Sequence, residues 1–94
     1  MHWDNSEYRK INEQIIKSFY NVYKILGAGL LEKVYHNALY IELKKHFKNV
    51  DNEKQFNIFY ENEFVGECIP DLLVENKVII ELKAVKELNE EIKA

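Results

Sequence analysis

The sequence predicts a small α+β domain, with two N-terminal helices packed on a three-stranded antiparallel meander. Two observations carry that reading. Apolar residues recur every three or four positions through the first half of the chain, then alternate in twos after Asn49. Glycine and Asn-containing breaks separate the runs at Gly27-Ala28-Gly29, Glu61-Asn62 and Glu75-Asn76-Lys77.

The chain has 94 residues, 47% of them hydrophobic, which suits a single domain with a real core. A net charge of −3 excludes a protein that holds nucleic acid by bulk charge alone, so such a partner needs a local basic surface or a bound cation. The single cysteine, Cys68, excludes an internal disulfide framework and fits a reducing compartment. No run approaches the roughly 18 apolar residues of a membrane span. The start, Met1-His2-Trp3-Asp4-Asn5, lacks the basic-then-apolar plan of a leader. The expectation is a soluble, cytoplasmic domain with no membrane contact.

The first helix runs from about Asn5 to Leu26, with Tyr8, Ile11, Ile15, Phe19, Val22 and Leu26 on one face. Asp4 and Glu7 have the spacing of a capping box, and Gly27-Ala28-Gly29 stops the helix. A second helix is expected from about Leu30 to Phe47, with Leu31, Val34, Tyr35, Ala38, Leu39 and Leu43 inward. At about 100° per residue Glu32 falls beside Leu39 and Leu43, at the margin of that stripe. Strands follow over Phe56 to Tyr60, about Phe64 to Val74, and Val78 to Lys83. Val85, Leu88 and Ile92 open a further helical pattern.

The chemistry concentrates in Pro70-Asp71 and Glu81-Leu82-Lys83. Glu81 and Lys83 share a strand face, being two apart. Asp71 joins them only if the index sum of paired residues is even, which requires a loop with an odd number of residues. Glu75-Asn76-Lys77 meets that condition, with Asn76 or Lys77 in the left-handed conformation. Two carboxylates held close repel, and a hard cation relieves the repulsion; Mg²⁺ (or Mn²⁺) suits them. Asp71 and Glu81 are the expected direct ligands, with the Leu82 carbonyl as a third. Lys83 would orient the attacking water and offset charge on a phosphate, and Glu32 would reach the cation through a water.

These residues resemble the PD-(D/E)XK nuclease superfamily in the pattern Asp71…Glu81-x-Lys83 preceded by a helix bearing Glu32. More narrowly, Gly29-Leu30-Leu31-Glu32-Lys33-Val34-Tyr35 is similar to the GxxExxY motif that names a bacterial family within it. The similarity runs from about Ile11 to Leu88. It implies a restriction-endonuclease-like core, metal-dependent hydrolysis of DNA phosphodiester bonds, and catalytic roles for Glu32, Asp71, Glu81 and Lys83. Family members usually continue into a further helix and strands, so the domain, residues 1–94, is expected to be C-terminally incomplete and truncated after the third strand. A homodimer through an exposed sheet edge or helix face follows from that expectation. The alternatives are a noncatalytic nucleic-acid- or protein-binding module on the same fold, and an interaction protein that recruits another chain at its sheet edge.

Other features read as structural. Gly27-x-Gly29 follows a helix and lacks a third glycine, so it is a helix-ending turn rather than a dinucleotide fingerprint. His2, His36 and His46 fit no metal-ligand spacing and are assigned to surface or packing. Cys68 is assigned to packing. Lys44, Lys45 and Lys48 form a modest basic patch that could contact phosphates or simply complement a helix end.

Overall fold

The computed structural model describes residues 5–82. Two helices, α1 (Asn5–Leu26) and α2 (Glu32–Lys44), precede five short strands: β1 (Val50–Asn52), β2 (Phe56–Tyr60), β3 (Glu63–Cys68), β4 (Leu72–Val74) and β5 (Val78–Ile80). The α+β class is as expected, and α1 ends at Leu26 as expected. No helix among the described residues is long and apolar enough to cross a membrane. Asp4, His2, Lys83 and the helical pattern at Val85, Leu88 and Ile92 lie outside the described residues.

The helices meet at a turn held by a tyrosine. Gly27 takes φ +78° and donates its N–H to the Tyr23 carbonyl at 2.7 Å, and Gly29 takes φ +93°. Both are values that glycine adopts without strain. The Tyr35 hydroxyl donates to the Gly27 carbonyl at 2.5 Å and accepts the Leu30 N–H at 3.2 Å. The last residue of the GxxExxY-like segment thus fastens its first turn, and α2 begins at Glu32 rather than Leu30.

The inner stripe of α1 is largely the expected one, and that of α2 keeps Tyr35, Ala38, Leu39 and Leu43 but turns toward His36. On α1, Ile11, Ser18 and Val22 are buried, and Phe19 sits at the rim. Ser18 is accommodated by a hydrogen bond from the Gln14 amide at 3.3 Å. On α2, His36, Leu39 and Leu43 are buried, whereas Leu31 and Val34 are exposed. Leu31 precedes the first turn of the helix and is 78% exposed.

The sheet departs from a simple meander. The expected strand from Phe64 to Val74 is broken between Cys68 and Leu72, because Pro70 is fully buried and has no N–H for a ladder. Its first half, β3, pairs only with β2, through a two-residue turn with Glu61 at φ 47° and Asn62 at φ 69°. That hairpin leaves Phe59, Tyr60, Phe64 and Val65 exposed, with Phe59 edge-on to Phe64 at 6.0 Å. The second half, β4, is the centre of a separate antiparallel sheet in the order β1-β4-β5. The strand β1 is absent from the sequence-based expectation, since three residues are too few to display an alternation.

The register of β4 and β5 is the expected one. Leu72 faces Ile80, Leu73 faces Ile79 and Val74 faces Val78, around the three-residue loop Glu75-Asn76-Lys77. Glu75 and Asn76 take the left-handed conformation, at φ 51° and 57°; Lys77 does not. Helix α2 lies against β1 and α1 against β5, enclosing a core of Ile11, Val22, Leu39, Leu43, Leu72 and Val74.

Glu75 ties the exit of α2 to this loop. Its carboxylate accepts the Lys48 N–H at 2.9 Å and the Asn49 N–H at 3.2 Å, and its own N–H donates to the Asn49 carbonyl at 2.8 Å. These bonds hold its carboxyl below the ordinary carboxylate range, chiefly through the Asn49 backbone N–H, then the Asn49 side chain, the Lys48 N–H and the Lys77 charge, with burial opposing. Glu75→Gln is therefore expected to lower stability by about 1 kcal/mol at pH 7, a thermal midpoint about 4–8 °C lower. A depressed carboxyl stabilises above its unfolded pKa and loses that contribution on protonation. Thermal melts across pH should accordingly show the difference between the two proteins closing as pH falls from about 5 toward 3.

Candidate metal centre

Asp71 lies where β3 gives way to β4, at the kink that Pro70 imposes. Its side chain is about a quarter exposed, at 27%. The Asp71 Oδ2 accepts the Leu82 N–H at 2.8 Å, and its main-chain carbonyl accepts the Glu53 N–H at 3.0 Å. Each bond sits one step beyond the end of a ladder. Asn52 faces Leu72 on one side and Leu72 faces Ile80 on the other. The bond from Glu53 carries the first register one position further, and the same continuation of the second register would bring Glu81 level with Asp71.

Glu81, the expected partner of Asp71, is exposed, lies past the end of β5 and does not join the group of ligand atoms gathered around Asp71. At Leu82 the amide hydrogen meets Asp71 directly. Glu32 is exposed at the first turn of α2, in line with the buried His36, Leu39 and Leu43 rather than at their margin. Of the expected basic patch, Lys45 pairs with Glu42 at 3.2 Å and Lys44 rests over the Tyr40 ring at 4.6 Å, while Lys48 is exposed. Glu42 is lowered from its ordinary pKa first by its bond from Lys45, so that lysine's charge is already engaged.

The structure adds two residues that motif reasoning passed over. His36 is almost fully buried, and its Nδ1 stands 3.9 Å from the Asp71 Oδ1. Ligand atoms of His36, Glu53 and Asp71 lie within 4.8 Å of one another. His36 is thus neither a surface nor a purely packing residue. Its one sequence signal is its place four residues after Glu32, on the same helix face. Glu53 carried no signal, because its approach depends on β1 pairing with β4. It takes φ 52°, and its carboxylate meets Lys33 at 3.2 Å on the exposed side.

Carboxylates and an imidazole gathered at the strand ends of an α+β domain define a class of sites suited to divalent cations. The family model described as the PD-(D/E)XK nuclease superfamily matches residues 9–94. The chain belongs to that superfamily. No curated protein and no solved structure matches it. Nucleases of this superfamily generally use divalent metals. The donor set fits one: oxygen and nitrogen ligands converge from α2, the end of β1 and the start of β4, and each of the three side chains is held by a neighbouring hydrogen bond, from Asn52, Leu82 or Lys33.

Proposed function

We propose that this chain is a metal-dependent nuclease domain that hydrolyses DNA phosphodiester bonds, with Asp71, Glu81 and the Leu82 carbonyl holding Mg²⁺ or Mn²⁺. The observation that supports this reading is the register of β4 and β5, whose continuation past Leu72 and Ile80 would bring Asp71 opposite Glu81. A divalent cation, when bound, supplies Lewis acidity toward the phosphodiester. Asp71 is oriented for that role by the Leu82 N–H, which fixes one oxygen and leaves the other turned toward His36. Lys83, two positions after Glu81, orients the attacking water and offsets charge developing on the phosphate. Glu32, at the N-terminal turn of α2, assists from the helix side. Lys44, Lys45 and Lys48 are the residues proposed to contact phosphates, with Lys48 foremost because the other two already have partners.

The test is cleavage of labelled DNA with Mg²⁺ or Mn²⁺ against the same reaction with chelator, for the intact chain and for Lys83→Ala. Cleavage should vanish with chelator and fall on the order of 10²–10³-fold in the variant, the size of effect seen when one charge-stabilising donor is removed. DNA bound but left uncut by the intact protein would replace the nuclease reading with a noncatalytic binding module.

A further inference from the structure

Two features of His36 point to a ligand beyond the Asp71–Glu81 pair. Its side chain is only 5% exposed, and its Nε2 lies 2.7 Å from the Asn52 Oδ1. With an oxygen as that neighbour, Nε2 carries the hydrogen, so Nδ1 of the neutral ring presents a lone pair. Nδ1 has no hydrogen-bond partner among the described residues. It faces the Asp71 Oδ1 at 3.9 Å, which is beyond hydrogen-bond reach. Two lone pairs confronting each other across such a gap leave room for a cation. Metal–nitrogen and metal–oxygen bonds of about 2.0–2.2 Å each sum to slightly more than the observed separation.

Glu53 supplies the third side. It follows Asn52 directly, and the Asn52 side chain is the one that orients His36. Its backbone is held to the Asp71 carbonyl, while its half-exposed side chain is restrained only by an exposed ion pair with Lys33 at 3.2 Å, a contact weak enough to yield to a cation. A movement of about half an ångström would bring all three ligand atoms within bonding distance of one centre. The facing cation is Lys33, which meets Glu53 from the outside.

We propose that His36 and Glu53 join Asp71 as ligands of the divalent cation, and that the imidazole makes the site select Mn²⁺ over Mg²⁺. Nitrogen ligands favour the borderline transition ions, whereas Mg²⁺ favours an all-oxygen shell. The proposal rests on the reading of Asp71 as a cation ligand and extends it to two residues that reading does not use.

The test is calorimetric titration of the full chain with Mn²⁺ and, separately, Mg²⁺, together with pulsed electron paramagnetic resonance of the Mn²⁺ complex. Asp71→Asn, Glu81→Gln, His36→Gln and Glu53→Gln are compared. Mn²⁺ should bind the intact chain at least about tenfold more tightly than Mg²⁺, and the resonance should show coupling to an imidazole nitrogen. Glu53→Gln, at an exposed position, should weaken Mn²⁺ at least about tenfold, and His36→Gln should remove both the preference and the coupling. The coupling is read on the unaltered protein, so a folding defect in the His36 variant does not decide the outcome. Mn²⁺ binding that Asp71→Asn and Glu81→Gln abolish, with no nitrogen coupling and no change in Glu53→Gln, would overturn this inference and leave the nuclease reading standing. Coupling present with Glu81→Gln unaffected would support the inference and remove Glu81 from the proposed ligand set. Failure of the intact chain to bind either ion would overturn both.

Discussion

Asp71→Asn is expected to weaken Mn²⁺ binding by about 100-fold or more and to lower DNA cleavage on the order of 10³-fold, with the fold intact. The expectation follows from what the substitution keeps and what it removes. An asparagine oxygen can still accept the Leu82 N–H that now meets the Asp71 Oδ2 at 2.8 Å. The main-chain bond from Glu53 is untouched, since it ends on the carbonyl of residue 71. What disappears is the negative charge in the group formed with His36 and Glu53. A neutral amide is a poor ligand for a hard cation, and loss of a metal's polarising effect costs several kcal/mol of barrier, hence the thousandfold estimate. Paired titrations and cleavage rates, with circular dichroism as the control for folding, measure it. Wild-type affinity in the variant would reduce Asp71 to a structural acceptor for the end of β5.

Leu43→Ala should cost about 2–5 kcal/mol, the range for emptying a fully buried leucine site. Leu43 has no exposed surface and lies in a cluster with Ile11, Val22, Leu39, Leu72 and Val74, so its contacts span both helices and the central strand. Small domains are stable by roughly 0.05–0.15 kcal/mol per residue, about 5–14 kcal/mol for a chain of 94. One truncation therefore removes a large share of the total. Urea unfolding should show the midpoint falling by about 1–3 M with the slope unchanged. A loss under about 1 kcal/mol would mean that α2 does not rest on β4 through this residue. The exposed Ile41 on the same helix is the contrast: truncation there should fall within about 0.5 kcal/mol.

The helix stripe and the hairpin loop were legible to different degrees. Periodicity located both helices and their shared turn, but it could not set the rotation of α2, because Leu31 and Val34 look as suitable for burial as Leu39 and Leu43. Rotation is chosen by the surface against which a helix docks, and here that choice buries His36. In the strands, the long apolar run from Phe64 to Val74 read as one element. Pro70 divides it, sending β3 to a hairpin of its own and β4 to the core sheet.

Sequence alone determined the end of α1 at Leu26 and the register of β4 against β5. Both are local matters, one of helical period and a glycine stop, the other of loop length and index parity between adjacent strands. Only the tertiary structure brought His36 and Glu53 to Asp71. That convergence depends on β1 pairing with β4 across about twenty intervening residues and on α2 packing over β1. Neither event leaves a periodic trace in the chain, because a three-residue strand is too short to alternate and a helix face is selected by its partner.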